Sequence, residues 1–238
     1  MNAVLKREVQ NYFLTPIGYV FMGIFLLVSG VFFFIYNLLR MSSDLAGVFS
    51  NLNYIFMLIV PLLTMRLLSE DRRAKTDQLL LTSPLSIGAI VTGKYLAACA
   101  VLLATLVMTM GYVVIIVLFA TPYPGLIFSN YLGLFCIGSS YIAIGVLMSA
   151  LSENQLSAAV LTFGVNLLLQ FVEAIGPQLS IPLVPWLPKA LALLSLHSRY
   201  GAFSTGMISI ADVLYFASFS GICLFLTVRV IDRRRWSK

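Results

Sequence analysis

Charged side chains concentrate in one stretch between apolar runs, residues 69–78 (SEDRRAKTDQ), where Glu70, Asp71, Arg72, Arg73, Lys75 and Asp77 fall within eight residues. Alternating signs at that density are suited to ion pairing with a protein surface, beyond any role in setting topology. Leu79, Leu80 and Leu81 follow before Ser83-Pro84 interrupts the chain. Residues 69–84 therefore read as a short amphipathic helix able to dock into a groove on a partner. A solvated connector with interfacial leucines fits the same residues. Just upstream, Arg66 has i,i+4 spacing to Glu70, and Pro61 is placed to kink the preceding helix.

A second group is polar within an otherwise apolar run. Thr162, Asn166, Gln170 and Glu173 are spaced four, four and three apart, so they share one helical face. Exposing such a face to lipid is costly, which directs it into a helix bundle, a subunit interface or a water-filled path. Interhelical hydrogen bonding and lining of a transport path both satisfy that requirement.

Other chemistries lack their residues. Gly88-Ala-Ile-Val-Thr-Gly93-Lys94-Tyr95 nearly spells a phosphate-cradling GxxxxGK[ST] loop, but its last position is tyrosine and an apolar run follows. Any nucleotide that drives this protein must bind another chain. His197 is the sole histidine and has no acid near it in sequence, so it reads as an interfacial hydrogen-bonding residue. Cys99, Cys136 and Cys223 stand singly in apolar runs and read as small packing residues, with no metal or disulfide framework. No catalytic, cofactor-binding or metal-ligating set is expected.

The elements that position these groups are membrane spans. Of the 238 residues, 60% are hydrophobic and 10% charged, more apolar surface than a water-soluble domain can hide. Apolar runs at about 17–39, 46–68, 93–120, 126–150, 156–176 and 211–231 are long enough to cross a hydrocarbon core of ~30 Å. The first is too long for a secretory signal core and no small-x-small cleavage site follows it, so it is expected to be retained. Residues 2–15 place Val4, Leu5, Val9, Tyr12 and Phe13 near one face and Lys6, Arg7, Glu8, Gln10 and Asn11 around the rest. That pattern predicts a helix lying in the membrane interface until Pro16 turns the chain inward.

Orientation follows from the basic residues. With both termini cytoplasmic, Lys6, Arg7, Arg66, Arg72, Arg73, Lys75, Lys94, Arg229, Arg233, Arg234, Arg235 and Lys238 lie inside, and only Arg40, Lys189 and Arg199 outside. The net charge of +6 thus reflects topology and anionic-lipid contact, with no nucleic acid implied. Residues 177–196 could suggest a seventh span, but Pro182, Pro185 and Pro188 oppose a straight helix, and an odd count would move the basic tail outside. This stretch is expected to be an external re-entrant or interfacial segment. The fold class is an all-α membrane protein with six transmembrane helices, an N-terminal interfacial helix and a cytoplasmic helix within 69–84, all in one domain over 1–238.

With those residues in place, a family resemblance emerges. Pro61-Leu-Leu-Thr-Met-Arg66 leading to Glu70, and then Asp77-Gln-Leu-Leu-Leu-Thr-Ser-Pro84, resemble permease subunits of type-2 ABC exporters, in particular the gliding-motility type. The opening KREVQNYFLTPIGYV, the turn Leu151-Ser-Glu-Asn-Gln155 and the tail through Arg234-Arg235-Trp236 are similar too, so the resemblance spans essentially the whole chain. Two departures are Asp77-Gln78, where a glutamate is common, and a last span ending Val-Ile-Asp-Arg.

The resemblance implies a permease in the cytoplasmic membrane of a prokaryote. It pairs with a second permease subunit, as homo- or heterodimer, above two ABC-type ATPase subunits that bind the ATP and magnesium. It further implies that Arg66, Glu70, Asp71, Arg72, Arg73, Lys75, Asp77, Leu79, Leu80 and Leu81 receive the ATPase stroke. Cargo would then leave between the second and fifth spans, along Thr162, Asn166, Gln170 and Glu173. A membrane scaffold that moves no cargo is the alternative. An ion-coupled transporter would need more intramembrane carboxylates than Glu173.

Overall fold

Thr15 and Pro16 set the first corner. The chain opens with helix α1 (Asn2–Leu14), and Thr15 is extended (φ −98°, ψ 154°) before Pro16 starts α2 (Pro16–Phe33), where the missing proline N–H costs nothing. The computed structural model describes residues 2–73, 86–121, 123–175 and 195–236. Among these, α2 continues through a π-helical segment (Phe34–Leu38), then follow α3 (Ala46–Thr64), α4 (Ser69–Arg73), α5 (Ile87–Phe119), α6 (Pro124–Leu151), α7 (Gln155–Ile175), α8 (Leu196–Ser204) and α9 (Ile210–Trp236). The described residues are helical with no strand, and six of the helical segments are long and apolar enough to cross a membrane.

Helix α6 is the centre of the bundle. It packs against α3, α5, α7, α8 and α9, and 78% of its most apolar window is buried, against 17–50% for the other five segments. Lipid tails offer no hydrophobic drive between helices, so close backbone approach has to supply the contact. Gly138 lies under Leu102 of α5, and Gly145 under Thr64 of α3. The peripheral segments present leucine, valine, isoleucine and phenylalanine outward, including Leu27, Val117, Leu168 and Phe225, as a lipid solvent permits.

Two boundaries differ from the sequence expectation. Helix α5 begins at Ile87, six residues before the expected start, because Ser86 caps it by accepting from the Ala89 N–H. At 33 residues it is about 50 Å long. It therefore outreaches a hydrocarbon core of ~30 Å. Helix α9 likewise runs on to Trp236 instead of stopping near 231.

Pro61 lies inside α3, and the chain breaks only beyond it, at the α3–α4 junction. Helix α3 stops at Thr64, and Leu67 N–H bonds Thr64 O in a tighter turn before α4 resumes. The donors freed by the break are not orphaned, since Ser149 Oγ of α6 accepts from both Leu68 N–H and Ser69 N–H at 3.1 Å. Buried backbone donors at a helix break need a protein partner in this way.

Of the segment expected outside, 177–194 lies outside the described residues. The following helix α8 is packed on α6, with Tyr200 and Phe203 buried and Ser129 Oγ donating to Phe203 O at 2.9 Å. Arg199 pairs with Asp212 of α9 at 3.0 Å.

Candidate functional site

The charged groups gather at the end of the bundle where α1, the α3–α4 junction and the start of α5 meet. Helix α1 lies against α5 so closely that a Cβ on Gly93 would come 3.0 Å from Val4 Cγ1. Its Tyr12 hydroxyl donates to Leu63 O of α3 at 2.8 Å. Burial, with the Glu8 carboxylate adding to it, pushes the Tyr12 phenol well above its ordinary range, so it stays a neutral donor.

One turn back from Tyr12, Glu8 points the same way. Sequence pattern assigns Glu8 to the polar side of α1; the structure corrects this, with Glu8 buried. Glu8 is buried because Lys94 is waiting for it. Lys94 Nζ lies 3.1 Å from Glu8 Oε1 and 2.8 Å from Asp71 Oδ2, and its side chain is only 3% exposed. Three elements thus share one buried ion cluster: α1 through Glu8, α4 through Asp71 and α5 through Lys94. A buried cation without partners would be prohibitive, and two carboxylates compensate it here.

Two further pairs flank the cluster. Arg66 holds Glu70 in a two-pronged contact, both nitrogens at 2.5 Å, across one helical turn. Arg72 reaches Glu153 in the α6–α7 turn at 2.5 Å. Asn154 in the same turn starts α7 by accepting from Ser157 N–H at 2.7 Å. A cavity of about 310 Å³ opens between these groups, lined among others by Arg7, Asn11, Tyr12, Arg66, Glu70 and Lys94.

Of the residues expected to contact an ATPase, Arg66, Glu70, Asp71 and Arg72 are therefore engaged within this chain, and Arg73 is exposed at the end of α4. Lys75, Asp77, Leu79, Leu80 and Leu81 lie outside the described residues. Sequence reading missed the roles of Glu8 and Lys94. The available signal was a lysine two turns into an apolar helix, which needs a partner, but nothing in sequence says that the partner is 86 residues away.

The polar stripe enters the bundle. Helix α7 packs on α3 and α6, and Thr162 and Asn166 are buried within the protomer while Gln170 is half-buried. Thr162 Oγ1 donates to its own helix at Ala158 O, 2.7 Å away. Among the described residues, neither Oδ1 nor Nδ2 of Asn166 has a hydrogen-bond partner. Glu173 falls in the last turn of α7, and its side chain is outside what is described.

The remaining candidates resolve into packing. Gly88 to Tyr95 form the opening turns of α5, a helix where a phosphate loop would have to be open backbone. His197 accepts from Asn53 Nδ2 and stands 3.5 Å from the Tyr54 hydroxyl, tying α8 to α3. The three cysteines are free and buried, and among the described residues no cluster of His, Cys, Asp and Glu could hold a metal.

With this geometry in hand, comparison with known proteins gives a family match. Residues 41–228 match the model of a family described as ABC-2 family transporter protein. No curated protein matches the chain.

Proposed function

We propose, because the chain belongs to the ABC-2 transporter family, that it is the permease subunit of an ATP-driven exporter and works with separate ATPase subunits. It sits in the cytoplasmic membrane of a prokaryote as a pair with a second permease subunit, both termini facing the cytoplasm. The gliding-motility type is the branch that its motifs fit. ATP and magnesium belong to the partner, and this chain contributes the path and the coupling.

The observation that carries the reading is the anchoring of α4. Its five residues are fastened to α5 by Asp71, to the α6–α7 turn by Arg72 and to α6 by the Ser149 bonds. A force applied to residues 74–85 would thus reach three transmembrane helices through short, charge-assisted contacts. Coupling requires such contacts to differ between two states, so altering them should separate ATP hydrolysis from transport.

Reversing Arg72 and Arg73 to glutamate is expected to leave membrane insertion intact and to lower ATPase stimulation by the permease about tenfold, roughly 1.4 kcal/mol of coupling. Glu153→Arg added to Arg72→Glu should recover part of it. Reconstitution with the ATPase subunit in proteoliposomes measures both, and wild-type stimulation in the double reversal would sink the assignment.

The scaffold alternative is favoured by one fact, that Thr162 and Asn166 are buried within the protomer. Asn166→Leu discriminates. It removes an amide without partners among the described residues, so thermal stability should hold or rise by about 1–2 kcal/mol. If Asn166 belongs to the path, ATP-dependent transport falls while stability is kept; unchanged transport favours the scaffold.

A further inference from the structure

One ammonium serving two carboxylates on different elements is a device for relative placement. Helix α1 is held on its neighbours in other ways, by the close approach at Gly93 and by the Tyr12–Leu63 bond. Helix α4 is held by the Ser149 bond to Ser69 and, on its outer side, by Arg72 on Glu153, a side chain that is 78% exposed. The extensively packed α1–α5 unit is taken as the fixed body, and α4, packed more slightly and held outside by a solvent-screened pair, as the part that moves. Within the cluster the carboxylate on the fixed body, Glu8, is the more deeply buried, at 10% side-chain exposure against 16% for Asp71.

We propose that Lys94 is the positioning residue for the coupling segment, holding α4 in place through Asp71 and retained by Glu8 alone when α4 moves away. The inference rests on the reading that residues 69–84 receive the ATPase stroke. Its physical content is an exchange between two partners and one. A lysine paired only with Asp71 would be stranded as a bare buried cation each time α4 left, and that penalty would lock the segment. Glu8 removes the penalty. Asp71 sets how firmly α4 docks, and Glu8 sets how freely it can leave. The two carboxylates flank the same ammonium, yet their removal should act in opposite directions.

Spin labels at Lys6→Cys and Arg73→Cys, both exposed positions outside the cluster, measure the separation of α1 and α4 in the full chain in lipid nanodiscs. The native cysteines are buried and are protected from labelling. Wild type should show a dominant short separation with a minor longer one. Asp71→Asn, nearly isosteric and at the rim of the cluster, should enlarge the longer population about tenfold, the effect of one charge-assisted contact. Glu8→Gln should shrink it, and Lys94→Arg should keep the wild-type distribution. A shift in the same direction for Asp71→Asn and Glu8→Gln, or none in either, overturns the proposal, because a merely structural cluster loosens whichever carboxylate is lost. Repeating the measurement with ATPase subunit and ATP separates the two claims. Variants that behave as stated while ATP leaves the separation unchanged uphold the tether and overturn the coupling role of 69–84.

Discussion

Replacing Lys94 with methionine is expected to destabilise the purified chain by about 3–5 kcal/mol, the range for removing one partner from a buried ion cluster. Glu8 and Asp71 would then face each other across an apolar side chain, with no cation to compensate either. Both carboxylates are mostly buried, at 10% and 16% exposure, so solvent screens them weakly. The same reasoning fixes the compensating variant. Substituting all three residues with apolar ones of similar volume (Glu8→Leu, Asp71→Leu, Lys94→Met) removes every charge together and should return stability to within about 1 kcal/mol of wild type. Thermal unfolding in detergent, followed by tryptophan fluorescence or calorimetry, compares the two. A single Lys94→Met variant that unfolds with wild type would mean that the cluster is wet and energetically minor.

The second large effect lies at the contact of α3 with α6. A Cβ on Gly145 would sit 2.1 Å from Thr64 Oγ1, 2.6 Å from Thr64 Cβ and 2.8 Å from Thr64 Cγ2. Rotating the threonine cannot relieve a clash with its own Cβ, so the helices must separate. Gly145→Ala should therefore cost about 1–3 kcal/mol as an overpacked contact. It should also disturb the Ser149 bonds to Leu68 and Ser69, one turn along α6, and with them the seat of α4. Adding Thr64→Gly removes all three clashing atoms and should recover most of the loss. Gly23→Ala on α2, where an added Cβ meets nothing within 4 Å, is the matched control and should be neutral or stabilising by roughly 0.5–1 kcal/mol. Equal stability of the Gly145 and Gly23 variants would show that the α3–α6 spacing is adjustable.

The charge-reversal and Asn166 experiments test function directly, whereas these two test the frame on which coupling depends. The cluster variants and the Gly145 variants converge on α4 from opposite sides, one through α5 and one through α6. Combining Asp71→Asn with Gly145→Ala should give non-additive losses, since both release the same short helix.

Sequence by itself determined the six crossings and the helix that precedes them. Apolar run length is set by bilayer thickness, and backbone polar groups in lipid must be satisfied within the segment, so these elements are local facts. Pro16 marked a corner for a local reason, a missing N–H and a fixed φ. The polar spacing of Thr162, Asn166 and Gln170 correctly implied one face.

Tertiary structure alone decided which charges meet. Glu8 and Lys94 are 86 residues apart, and each looked like an ordinary interfacial charge until α1 was laid across α5. It also decided that the break after Pro61 is satisfied by Ser149, and that the α7 stripe turns into its own protomer. The reason is common to all three. Burial of a polar group is tolerated only when a partner arrives with it, and which partner arrives depends on how whole helices pack. Chain-local patterns carry no record of that. The charged stretch at 69–78 read equally as a docking helix or a solvated connector, and only the structure pairs its Asp71 and Arg72 with this chain's own Lys94 and Glu153.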